Sequence, residues 1–154
     1  MAAHTEQQIL PYDTQQLFDL VADIERYPEF LPWCRAARVL ERKDGELLGE
    51  LVIRFAHLTE SYTSRVTLAR PAHPGEAGAI EVTMVKGPFQ HLVNRWRFTP
   101  QDDATRIDFF LDFKFRSRLL EKLIGPLFGK ATDKMVGAFR SRAEALYGKQ
   151  KPET

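Results

Sequence analysis

The sequence predicts an α+β fold in which a curved antiparallel sheet of about seven strands wraps around a long C-terminal helix. Residues 36–116 alternate apolar and polar side chains with period two, broken by turn signals. From residue 117 onward the apolar spacing changes to three and four, and a short strand and a helical segment precede both regions. One apolar face on the sheet and one on the helix are buried together most economically when the sheet curls over the helix. The 154 residues fit a single domain, 1–154, with an ordered core of about 4–147.

The first strand is short, about Glu6 to Leu10, and Pro11 closes it. Asp13 and Gln16 make a capping-box pair at the start of a helix. Leu17, Leu20, Val21, Ile24 and Tyr27 share its inner face, and Pro28 ends it by disfavouring helical geometry in the preceding residue. The segment YPEFLPWC, Tyr27 to Cys34, stays compact, with a single turn between Pro28 and Pro32.

A strand from about Arg38 to Lys43 runs into Asp44-Gly45, a tight-turn dipeptide. Leu47, Gly49, Leu51, Ile53 and Phe55 then occupy one face of the next strand, and Tyr62, Ser64, Val66 and Leu68 one face of its successor. PAHPGEAG is a loop by its prolines and glycines. Ile80, Val82 and Met84 alternate up to a break at Gly87-Pro88, and Leu92, Asn94, Trp96 and Phe98 up to a turn at PQDD. In the last strand Ile107, Phe109, Leu111, Phe113 and Phe115 oppose a mostly charged face.

The C-terminal helix carries an apolar stripe of Leu120, Leu123, Ile124, Leu127, Phe128, Ala131, Met135, Phe139, Ala143 and Leu146, with a kink expected at Gly125-Pro126. Arg118, Lys122, Lys130, Lys134 and Arg140 fall within about 160° on its other side. The net charge of +1 therefore hides a segregation: residues 117–149 carry seven Lys/Arg and three Asp/Glu, a local +4, leaving −3 on residues 1–116. Such a face suits an anionic membrane surface or RNA, although lysines on the outer side of an amphipathic helix more commonly serve only to solvate it.

A curved sheet gripping a helix leaves a gap, and the small inward residues Gly49 and Ser64 widen it, so an apolar cavity is expected there. The candidate ligand contacts are Phe30 and Trp33 from YPEFLPWC; Phe55, Tyr62, Met84, Phe89, Trp96, Phe109 and Phe113 from the strands; and Leu123, Leu127 and Phe128 from the helix. Gly87-Pro88-Phe89 reads as a bend between strands, or as one that turns Phe89 toward the cavity mouth.

Several chemistries find no footing. There is no GxSxG, HExxH or GxGxxG pattern, and no pair of histidines stands three to five residues apart among His4, His57, His73 and His91. Cys34 has no histidine near it in sequence and reads as a small buried apolar group rather than a nucleophile. No metal site is expected. No apolar run approaches the ~20 residues of a membrane span, and nothing at the N-terminus reads as a signal peptide.

The combination of YPEFLPWC, ESYTSRV, GPFQHLVNRWRF and DFFLDFKF leading into a long helix resembles the coenzyme Q-binding START-domain family. That family is grouped with the ribosome-association toxin RatA family and the polyketide cyclase/dehydrase superfamily. The resemblance rests on Tyr27, Pro28, Phe30, Leu31, Pro32, Trp33 and Cys34, and on Gly87, Pro88, Phe89, Leu92, Trp96 and Phe98. It implies the helix-grip (START/Bet v 1-like) fold, a cavity for a hydrophobic molecule and no catalytic constellation.

Three functions follow as expectations. The first is non-catalytic binding of coenzyme Q or a similar prenylated quinone, supporting respiratory electron transport, with YPEFLPWC covering one end of the cavity. The basic helix face would dock the protein on an anionic membrane surface, and no cofactor is required beyond the bound apolar ligand. The second is a toxin-like inhibitor of translation bound to the large ribosomal subunit; no DNA partner is expected for either. The third, a polyketide cyclase or dehydratase, ranks last, because only Asn94, Tyr62 and Ser64 bring polar groups to the inner faces. The expected location is the bacterial cytoplasm, peripheral to the inner membrane, since a mitochondrial relative would carry an Arg-rich leader.

Overall fold

In the computed structural model, which describes residues 2–73 and 75–148, seven antiparallel strands form one sheet in the order β1-β7-β6-β5-β4-β3-β2. The strands are β1 (Ala2–Leu10), β2 (Cys34–Lys43), β3 (Glu46–Phe55), β4 (Leu58–Ala69), β5 (Gly78–Lys86), β6 (Phe89–Gln101) and β7 (Ala104–Phe115). The outermost expected domain residues, Met1 and 149–154, and Pro74 of the expected loop lie outside the described residues. The first strand begins at Ala2 rather than near Glu6, because its whole length pairs with β7, Ala2 opposite Phe113.

Helix α1 (Thr14–Ala22) starts on the capping box read from the sequence: Gln16 N donates to Asp13 Oδ1 at 2.8 Å and Asp13 N to Gln16 Oε1 at 3.2 Å. Pro28 does not end this helix. The chain leaves α geometry at Asp23, whose ψ is 68°, and continues as a 3₁₀ helix, Ile24–Glu29, that contains Pro28. Proline's constraint thus falls on a short, tightly wound run instead of an α-helical ladder. Tyr27 still faces inward, and its hydroxyl donates to Val21 O.

The inner sheet face follows the alternation. Leu47, Ile53, Tyr62, Val66, Ile80, Leu92, Trp96, Phe98, Ile107, Phe109, Leu111, Phe113 and Phe115 are all buried. Register shifts at Cys34/Ala36, Val39/Glu41, Thr63/Ser64 and Phe89/His91 mark irregularities of the bulge type. An extra residue in one strand bends it and adds twist, which is the curvature the fold needs. The Asp44-Gly45 turn forms as expected, with Gly45 at φ 73°.

The expected single long helix is three: α2 (Arg118–Leu123), α3 (Gly125–Asp133) and α4 (Met135–Tyr147). The first break, at Ile124, is the one foreshadowed by Gly125-Pro126; Pro126 sits in the first turn of α3, where its missing N–H is not needed. The second, at Lys134, has no proline. There Thr132 Oγ1 donates back to Gly129 O at 2.8 Å, a side-chain bond of the kind that bends helices. Phe128 of α3 and Phe139 of α4 reach the sheet, and Trp96 of β6 packs edge-on against Phe139 at 5.0 Å.

Candidate functional site

The interior is not continuously packed. A cavity of about 60 Å³ lies between the sheet and α3–α4. Its floor is made by cross-strand neighbours: Gly49 opposite Ser64, Val82 opposite Asn94, and Asn94 opposite Leu111. Ile24, Tyr27, Trp33, Phe128, Met135 and Phe139 complete its wall, Tyr27 meeting Phe139 at 5.3 Å and Trp33 meeting Phe128 at 6.2 Å. Gly49 matters by its missing side chain, since a Cβ there would overlap the Ile24 Cδ1 methyl. Ile24 therefore occupies part of the space that the small residues leave. The remaining volume suits a few water molecules and is well below the ~300–1,000 Å³ of sites for drug-sized ligands.

Polar atoms in this cavity are few. Asn94 is committed on both sides: its Nδ2 donates to Phe110 O and its Oδ1 accepts from Trp96 Nε1, each at 2.9 Å. Ser64 Oγ is buried without a hydrogen-bond partner among the described residues. Burial, and then the neighbouring Cys34, push the Tyr62 phenol above its ordinary range; burial, then Tyr62, Cys34 and Asp23, do the same to Tyr27. Both stay protonated at neutral pH. The wall thus offers neutral hydroxyl groups and no charge.

Of the expected ligand contacts, Trp33, Tyr62, Trp96 and Phe128 line the cavity. Phe30, Phe55, Met84, Phe89, Phe109 and Phe113 lie outside its wall, in or against the core. Phe89 is not turned to a mouth: it is 0% exposed and stacks on Phe115 at 4.6 Å. Leu123 and Leu127, read as inward, face solvent at 49% and 38% exposure. The sheet covers only the Ile124–Phe128–Thr132 side of α2–α3, so an apolar stripe drawn more broadly overran it. Arg118, Lys122, Lys130, Lys134 and Arg140 are exposed, as their spacing implied.

Gly49 and Ser64, read from the sequence as the small residues that open the gap, do line it. The inward-facing Leu51, Val66, Val82, Leu92 and Leu111 also line it and are not among the expected contacts, which are drawn mainly from the aromatic residues. Choosing by size selects what fills an interior, whereas a cavity remains where side chains are short.

Cys34 is buried, with its thiol donating weakly to Ala36 O at 3.5 Å. Burial pushes the thiol up to about 11, against a smaller opposing effect of that hydrogen bond. A thiol about two units above its unfolded value is stabilised as the neutral form. That contribution is complete below about pH 9 and is lost as the pH rises through about 11. At pH 8, iodoacetamide should alkylate the native protein at least about a hundredfold more slowly than the unfolded chain. Equal rates would mean the thiol is open and reactive.

Among the described residues, no helix is long and apolar enough to cross a membrane, and no group of His, Cys, Asp and Glu is placed to hold a metal ion. A family model described as polyketide cyclase/dehydrase and lipid transport matches residues 10–140. The chain is 43% identical over 143 residues to a protein of Rickettsia prowazekii named ribosome association toxin RatA, covering 93% of this chain and 95% of that one. It is 32% identical over 151 residues to the mitochondrial coenzyme Q-binding protein COQ10 homolog B of Xenopus laevis, covering 96% of this chain and 60% of that one. A START superfamily protein from Mycobacterium smegmatis has the same fold, with a TM-score of 0.74 at 19% identity over 94% of this chain and 98% of that one.

Proposed function

Since this chain belongs to the polyketide cyclase/dehydrase and lipid transport family, we propose that it binds a hydrophobic small molecule between sheet and helices and changes no bond in it. A prenylated quinone of the coenzyme Q type is the ligand class. The observation that carries this reading is the apolar cavity with one buried, unpartnered hydroxyl, Ser64 Oγ. An unpaired buried hydroxyl costs about 1–3 kcal/mol, and a ligand carbonyl or ether oxygen would relieve it. No carboxylate, imidazole or amine lines the cavity, so the wall supplies hydrogen bonds and apolar contact but no general acid or base poised near neutrality.

The ring and tail need more room than the closed cavity has. The closure is aromatic: Trp33 stacks on Phe55 at 6.0 Å and meets Phe128 edge-on at 6.2 Å. Trp33 is only half-buried, so it is the element that swings to admit ligand. The protein then works in the cytoplasm as a carrier for a molecule whose reservoir is the inner membrane.

A second reading is favoured by the 43% identity to a protein named ribosome association toxin. In it, the exposed Arg118, Lys122, Lys130, Lys134 and Arg140 meet RNA phosphates on the large ribosomal subunit. Such binding weakens steeply with salt, by about 500-fold between 50 and 200 mM if all five meet phosphates.

One experiment weighs both. Freshly purified protein is analysed by native mass spectrometry, extracted for quinone, and titrated with ubiquinone. Bound or readily taken-up quinone is expected, and Trp33→Ala should weaken uptake about tenfold while keeping the fold. Protein that arrives empty, refuses quinone and cosediments with large subunits in low salt would replace the first reading with the second.

A further inference from the structure

The side chains that the fold turns away from the cavity make a surface of their own. Leu119, Leu123 and Leu127 are 64%, 49% and 38% exposed, spaced by four along α2 and the start of α3. The other large exposed apolar residues, Ile9, Leu40, Val85 and Leu146, sit on four separate elements, one each. Counted at about 100° per residue, Lys130 and Lys134 fall among these leucines, while Lys122 lies about 60° and Arg118 about 100° to one side of Leu119. The nearby Glu121 is turned inward, accepting a hydrogen bond from Phe115 N at 3.0 Å. Asp133 stands 3.2 Å from His4 Nδ1.

We infer that the outer face of α2–α3 docks in the headgroup region of an anionic lipid bilayer, with Leu119, Leu123 and Leu127 entering the acyl boundary. The basic side chains match the lipid phosphates, and lysine stems of this length lie along apolar surface while their ammonium groups stay in the wet layer. RNA would satisfy those charges but would leave the leucines against water. A second copy would set the same lysines against one another. An anionic bilayer alone meets both halves of the surface. Leu127 also adjoins Phe128, so the membrane contact lies beside the aromatic closure of the cavity. The inference deepens the ligand-binding reading, since a quinone resides in a bilayer, but its test uses no quinone.

Leu123→Cys, labelled with a polarity-sensitive fluorophore, is mixed with phosphatidylglycerol or phosphatidylcholine vesicles. The buried Cys34 does not compete for label in the native state. A blue shift is expected with phosphatidylglycerol vesicles, reversed in about 1 M salt, and none with label at Leu40→Cys on the far edge strand. Leu123→Ser combined with Leu127→Ser should lower the partition onto those vesicles about tenfold or more without altering the unfolding temperature. An absent shift, or a double variant that binds vesicles like the parent, would overturn the inference. So would a double variant that loses ribosome cosedimentation when neither protein binds vesicles. Vesicle binding without quinone uptake would leave this surface standing and remove the carrier reading; uptake without vesicle binding would do the reverse.

Discussion

Gly87→Ala is expected to lower the free energy of unfolding by about 3 kcal/mol, read as a fall in the urea midpoint at unchanged slope. Gly87 has φ 155°, a backbone conformation that side chains with a Cβ rarely adopt. A Cβ there would overlap the Tyr62 Cβ, approach the Tyr62 Cα to 3.1 Å and the Met84 Sδ to 3.2 Å. The sulfur can swing away, but the Tyr62 backbone cannot. It belongs to β4, paired on one side with Leu51 of β3 and continued on the other by the Thr63–Lys86 pairing with β5. Moving it means opening the sheet next to the cavity. A loss under about 1 kcal/mol would show that the β5–β6 bend relaxes freely. The glycine of the GPF motif would then need another explanation.

Phe128→Ala is expected to cost about 3–5 kcal/mol. The ring is 1% exposed and meets Trp33, Phe55, Phe89, Phe113 and Phe115 with centroids 4.6–6.2 Å away. Its ring ties α3 to β3, β6, β7 and YPEFLPWC together. The same substitution removes part of the cavity wall. If lack of space limits ligand entry, the folded variant should take up a short-tailed ubiquinone at least as tightly as the parent. Weaker uptake by protein that is folded by near-UV circular dichroism would make the ring a ligand contact rather than a closure. Calorimetry with and without the quinone separates the two effects, because a ligand that binds only the native state raises its unfolding temperature.

These residues illustrate what could be read from the chain. The strand faces, the Asp13–Gln16 cap, the Asp44-Gly45 turn and the burial of Cys34 were legible because each depends on local spacing or local backbone preference. The Gly49–Ser64 gap was legible as a pair of small inward residues, and the two proved to be direct partners across β3 and β4. The filling of that gap by Ile24 was not. Ile24 comes from a 3₁₀ helix elsewhere in the chain, and only the packed structure sets how far its methyl reaches. The break at Lys134 has no proline or glycine at it, only the Thr132 Oγ1 bond back to Gly129 O beside it, and no spacing rule registers it.

The fold class was thus determined by the sequence itself, because alternation with period two and spacing of three to four each allow one kind of element, and two apolar faces require burial. Which apolar side chains face the cavity and which face outward was decided by tertiary structure. Leu123 and Phe128 are both apolar and lie on neighbouring turns, yet the sheet covers Phe128 and leaves Leu123 49% exposed. Hydrophobicity is a property of the residue, but burial depends on what lies opposite it, and here that is supplied by β7 just before the helices together with β3 and β6 from earlier in the chain.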